Sequence, residues 1–309
     1  MSSSTPASLV NELEVAHRQG EPLVLDHGSP YEWAVACHEL FLAGRTDVIE
    51  GAARHLRAVY PEVQYLATLV AWLDAIPRHL PAPLAFCDDP AAEIQIVPRS
   101  GCNSVLLCFC AAGGGTLGLP VSFVHQWLGR LPVSLVYIKD FREMWGTCGY
   151  PSLGPDGIQS VAALRRIAAE LGGRRIYTFG VSHGGYPALY YGLVLGAAAV
   201  LSLGGKTDLR PDLNHSLGAI TPTYLNFLKQ VPGNAEDLGE SYAAARYRPH
   251  VLLAFGADNL PDRTHAEKMM ARVPNVELIA VEGSAEHNVI DPLIRRRGFR
   301  GLLYRLLSA

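Results

Sequence analysis

A chain of 309 residues, 49% apolar and with a formal net charge of −3, can bury a large core and shows no bias toward a polyanionic partner. No basic stripe is interleaved with aromatics, so nucleic acid is not an expected partner. Cys37, Cys87, Cys102, Cys108, Cys110 and Cys148 form neither a C-x-x-C pair nor a zinc spacing, and no basic, apolar leader follows Met1; these features fit a reduced, cytoplasmic protein without a metal.

Up to about Ile76 the apolar period is helical. Trp33, Cys37, Leu40 and Phe41 share one face, as do Val48, Ala52, His55 and Leu56, then Tyr65, Leu69, Trp72 and Leu73, with Gly44, Pro61 and Pro77 as punctuation. Leu40 to Leu56 is faintly similar to a tetratricopeptide helix pair, but no second copy follows at a fixed period. Residues 1–80 are therefore expected to form a small all-helical region, a candidate surface for a protein partner, and Pro77 to Pro83 a linker.

After the linker, eight short apolar runs predict strands: Leu84–Cys87, Glu93–Val97, Val105–Cys110, Val133–Ile138, Ile176–Val181, Ala198–Leu203, Val251–Phe255 and Val276–Val281. Helical periods separate most of them; the clearest runs through Ile158, Val161, Leu164, Ile167 and Leu171, with Asp156 to cap its start and Gly172 its end. Continuous apolar strands alternating with helices predict a mainly parallel sheet covered on both faces over residues 83–309, with the first two runs as an antiparallel start. The interval 208–249 breaks the rhythm and reads as a lid or cap, where Pro222, Tyr224, Leu225 and Phe227 suggest a partly apolar acyl pocket. The longest apolar stretch, around Ala188 to Leu203, is too short and too glycine-broken to span a membrane.

The segment Gly180-Val181-Ser182-His183-Gly184 ends an apolar strand and opens a small-residue helix. A strand–turn–helix of this kind forces its apical serine into a strained conformation, and flanking glycines remove side chains that would collide. The hydroxyl then stands clear of the sheet, while N–H groups at the helix N-terminus can hold a developing anion.

Ser182 is followed by Asp258 after one strand and by His287 after the last, an order in which the chain resembles the α/β-hydrolase superfamily from about Pro83 onward. The resemblance implies an eight-stranded α/β-hydrolase sheet behind the helical region, and hydrolysis of a carboxylic ester or thioester through an acyl-serine intermediate. Within that chemistry acyl transfer to an alcohol or amine is the alternative. Ser182 would attack, His287 would carry the proton and Asp258, which ends its strand directly, would orient His287. Asp262 reads instead as a helix cap, and Asp208, after the sixth strand, is a third candidate acid. Backbone N–H groups of His183 and of the loop Ala111-Ala112-Gly113-Gly114-Gly115-Thr116 would form the oxyanion hole, with the donor open between Ala112, Gly113 and Gly114. No cofactor is expected, and the partner would be a small acyl substrate.

Two rival classes stand beside this reading. Gly113-x-Gly115-x-x-Gly118 matches the dinucleotide fingerprint of a nicotinamide-dependent oxidoreductase, with Asp140 placed for a ribose, but it leaves Ser182 and His287 unexplained. A non-catalytic interaction protein would usually lack Ser182 or His287, and neither is missing. The tail Arg295-Arg296-Arg297-Gly298-Phe299-Arg300 with Leu302, Leu303, Leu306 and Leu307 reads as a helix packing its leucines on the sheet and solvating its arginines rather than as a membrane-surface helix.

Overall fold

Capping chemistry and apolar spacing coincide at each of the first two helices. In the computed structural model, which describes residues 5–231 and 236–309, Thr5 accepts a hydrogen bond from Ser8 at the start of α1 (Pro6–Gln19), and Ser29 and Glu32 form a capping box on α2 (Pro30–Leu42). Residues 1–4, at the start read for a leader, and 232–235, inside the expected lid, lie outside the described residues. Helices α3 (Thr46–Val59) and α4 (Gln64–Ala75) complete the N-terminal region. Their buried faces, with Trp33, Phe41, Ile49, Leu56 and Leu69, join one face of the sheet in a single hydrophobic cluster. The helical region is thus packed into the same core as the rest of the chain.

The chain then runs β1 (Ile94–Val97), β2 (Ser104–Phe109), α5 (Val121–Leu128), β3 (Ser134–Ile138), α6 (Gly157–Glu170), β4 (Arg175–Val181), α7 (Gly185–Leu195) and β5 (Ala199–Leu203). After β5 come α8 (Pro211–Ser216), α9 (Pro222–Gln230) and α10 (Leu238–Ala244), then β6 (His250–Gly256), α11 (Leu260–Met270), β7 (Val276–Val281), α12 (Ile290–Arg295) and α13 (Phe299–Ser308). The sheet order is β1-β3-β2-β4-β5-β6-β7, with β1 antiparallel to β3 and every other pair parallel.

Among the described residues seven strands form where eight were expected. Leu84–Cys87 is irregular: Leu84 exchanges its backbone bonds with Gly129 and the His125 ring, and the Cys87 carbonyl accepts from Gln95. With its polar groups taken by helix end and side chains, no ladder is left for a strand. The antiparallel partner of β1 is therefore β3 and not the preceding run.

Alternate residues of the strands feed two cores. Leu106, Cys108, Tyr177, Phe179 and Leu201 face α1–α5, α12 and α13, whereas Val105, Leu107, Phe109, Val200 and Leu253 face the opposite layer. Leu302, Leu303 and Leu306 of α13 are buried, so the tail helix packs on the sheet as expected. No helix among the described residues is long and apolar enough to cross a membrane. From β2 the chain moves outward to β3, then crosses back to β4 and proceeds the other way, so the strand order reverses between β2 and β4. The crevice beyond their carboxyl ends is where open α/β sheets bind ligands.

Candidate active site

Strand β4 delivers Ser182 into that crevice with φ 53°, the left-handed region that a serine seldom occupies. A Cβ at Gly180 would run into the Gly184 carbonyl, and one at Gly184 into the carbonyls of Phe109 and Cys110, so the elbow closes only with glycine at both positions. Ser182 Oγ lies 2.7 Å from His287 Nε2, and His287 Nδ1 lies 2.8 Å from Asp262 Oδ2 and 3.0 Å from Oδ1. An ionised carboxylate only accepts, so Nδ1–H donates to Asp262 and Nε2 is left to accept the serine proton. An elbow serine after β4, this reversal of strand order and a histidine after the last strand together define the architecture. The chain has the α/β-hydrolase fold.

Of the expected acids, the hydrolase fold brings Asp262 to His287 and leaves Asp258 and Asp208 apart from it. Asp258 is exposed, and its N–H donates to the Ser284 carbonyl at 3.0 Å. Asn259 caps α11 by accepting from the Asp262 N–H at 3.0 Å, which replaces the expectation that Asp262 itself is the cap. Freed from capping, the Asp262 side chain turns to the imidazole from the first helical turn. Asp208 is fully buried and bonded to Arg210 and Lys268. Burial opposes its ionisation, but those two cations hold its carboxyl below the ordinary value.

The glycine loop follows β2 beside the elbow, since Phe109 pairs with Gly180. Of the N–H groups expected to hold an oxyanion, that of Gly114 donates to the Ala111 carbonyl at 3.1 Å, which leaves those of Ala112 and Gly113 as the better candidates in this loop. The His183 side chain is buried away from Ser182: its ring lies 4.2 Å from that of Trp145, and Nε2 accepts from Trp145 N–H at 3.2 Å. Asp140 Oδ2, 3.3 Å from His183 Nε2, accepts from Gly146 N–H at 2.9 Å. Burial works against the Asp140 charge, yet its contacts with His183 and Gly146 hold the carboxyl below its usual value. A carboxylate so buried and occupied is not presented to a ribose, which removes the main support of the dinucleotide rival.

Between β5 and β6 the expected lid is built from α8, α9 and α10 and fastened at two places. Asp208 and Asp237, both buried, share Arg210 and Lys268, and Arg272 also reaches Asp237, which ties the insertion to α11. Tyr224 and Phe227 are buried with their rings 5.9 and 5.2 Å from Trp145, so these aromatics serve packing rather than the apolar pocket expected of them. Lys206, just after β5, donates to Asn214 and to the Ala219 carbonyl at 3.3 Å and lies 4.9 Å from the Tyr224 ring centre. Burial pushes its pKa down to about 8.

No protein-family model matches the sequence, and no curated protein matches it either. Among solved structures, MenH from S. aureus overlaps with a TM-score of 0.48 at 14% identity, covering 70% of this chain and 98% of that one. The capsule O-acetyltransferase of Neisseria meningitidis serogroup A gives 0.46 at 12%, over 69% and 92%. FphF, a fluorophosphonate-binding serine hydrolase of Staphylococcus aureus, gives 0.46 at 13%, over 67% and 90%. Strand order and elbow geometry, not these distant overlaps, define the fold.

Proposed function

We propose that the protein is a serine hydrolase that cleaves a carboxylic ester or thioester through an acyl-enzyme. The single observation that carries this reading is the unbroken contact from Ser182 Oγ through the His287 ring to the Asp262 carboxylate, with Ser182 held on a left-handed elbow. In the first half-reaction His287 Nε2 takes the serine proton while Oγ bonds the acyl carbon. The carbonyl oxygen becomes an oxyanion held by the His183 N–H and by Ala112 or Gly113. Collapse breaks the ester or thioester bond, and the imidazolium returns the proton to the departing alcohol or thiol. Water, deprotonated by His287, then attacks the acyl-serine, and Oγ leaves with that proton. Asp262 orients the ring and stabilises its cation throughout.

A fluorophosphonate probe tests this directly. It should label the wild-type serine covalently and leave Ser182→Ala unmodified; an unlabelled wild type that is folded by circular dichroism would refute the reading. A panel of short and long acyl esters and thioesters then separates the leaving-group classes.

A further inference from the structure

The arginine-rich tail contributes nothing to the Ser182 site, and its arginines divide into two groups. Arg295 pairs with Asp291 at 2.7 Å, Arg305 pairs with Glu277, and Arg296 donates to the Glu282 carbonyl. Arg297 and Arg300 meet no carboxylate among the described residues. These two line a cavity of about 390 Å³ between the end of α4 and the α12–α13 turn, together with Asp74, Arg78, His79 and Trp127.

The charges around the cavity do not balance. Asp74 is held by Arg54, and Arg78 by Glu50 at 2.6 Å, with Glu50 also reaching Arg54. Four guanidinium groups (Arg54, Arg78, Arg297, Arg300) thus face two carboxylates (Glu50, Asp74), an excess of two positive charges. Arg300 Nη1 lies 3.0 Å from His79 Nε2 and its guanidinium 5.4 Å from the Tyr304 ring centre, and neither contact neutralises its charge as a carboxylate would. Arg130 feels the same excess: burial first, and then Arg78, press its pKa below the ordinary value, and its Nε is buried without a partner.

We propose that this cavity binds a phosphate-bearing anion, gripped by Arg297 and Arg300 on one wall and by Arg78 and His79 on the other. A phosphate dianion supplies the two missing negative charges, and its oxygens suit the planar forks of paired arginines. Because α4 provides one wall and the α12–α13 turn the other, the ligand fastens the N-terminal helices to the hydrolase sheet. The phosphate belongs to a soluble ester or diphosphate or to a lipid headgroup, and these two sources are separable.

Calorimetric titration of the full chain with inorganic pyrophosphate at low salt should give saturable binding that weakens as salt rises. Arg297→Gln/Arg300→Gln should weaken it by about tenfold or more. Arg78→Gln should weaken it from the other wall, while Arg296→Gln should leave it unchanged. Sedimentation with phosphatidylcholine vesicles containing phosphatidic acid provides the lipid arm. Binding to vesicles that disappears in the double variant assigns the phosphate to a headgroup, and pyrophosphate binding without sedimentation assigns it to a soluble ligand. The proposal is overturned if neither probe binds, or if binding persists undiminished in a double variant whose circular dichroism matches the wild type.

Discussion

Asp262 reaches the imidazole of His287 at 2.8 Å from within the first turn of α11, beyond the loop that carries Asp258. The two aspartates are close in sequence and opposite in setting, one largely buried on the ring and one exposed to water. Asp262→Asn should therefore lower kcat by about four orders of magnitude, the scale of losing the carboxylate that fixes a catalytic tautomer. Asp258→Asn should leave kcat within about twofold, as a surface substitution would. Steady-state rates on one activated ester decide between them, and a larger loss from Asp258→Asn would reverse the assignment.

Gly204 sits at φ 59° behind the pair, and a Cβ there would lie 3.0 Å from the His287 carbonyl and 3.4 Å from both Asp262 Oδ2 and His287 Cε1. An added methyl presses on the His287 backbone carbonyl and fills the space beside the two groups whose alignment the proton transfer needs. Gly204→Ala should cost about 1–2 kcal/mol of stability through its backbone conformation. It should also lower kcat, by less than the roughly hundredfold that a misplacement of about 1 Å costs, with little change in KM. Full activity in Gly204→Ala would show that the pair tolerates the shift.

Much of the geometry of this candidate site was legible in the sequence, for a physical reason. Gly180, Ser182 and Gly184 are dictated by a turn that admits few other residues, and His287 follows a strand that its apolar run marks plainly. The carboxylate that meets His287 was not legible, because Asn259 and Asp262 compete for one helix start and either can cap it; only the fold shows Asn259 taking the N–H and releasing Asp262. Leu84–Cys87 misled in a related way, since an apolar run does not reveal that its backbone groups are taken by Gly129, His125 and Gln95. Tyr224 and Phe227 pointed to a pocket because composition does not show that Trp145 stands opposite them.

Trp145 links that insertion to the elbow, with its ring against His183 on one side and against Tyr224 and Phe227 on the other. Trp145→Ala should destabilise the fold by about 3–5 kcal/mol, the usual range for emptying a large aromatic site. Because His183 also supplies an expected oxyanion donor, kcat should fall in the protein that remains folded, and Trp145→Phe should recover part of both losses. Chemical unfolding and kinetics on the same preparations test this. A stability loss with unaltered kcat would confine Trp145 to packing.

His265 gives the fold a pH dependence of definite sign. Its ring is buried on α11, with Thr207 N–H directed at Nδ1 from 3.4 Å and Nε2 unpartnered. Burial, reinforced by Lys206 and Lys268 and opposed by Asp208 and Asp237, pushes its pKa down to about 3 from an ordinary 6.5. Between these values the unfolded chain binds a proton that the folded chain refuses, so stability is complete above pH 6.5 and drains away as pH falls toward 3. The loss approaches about 1.4 kcal/mol per pH unit once the unfolded histidine is fully charged. Urea unfolding between about pH 6.5 and 5, where most carboxylates stay ionised, should show a slope rising toward this value in the wild type and a flatter one in His265→Gln. Parallel curves for the two proteins would mean that the buried ring accepts its proton in place.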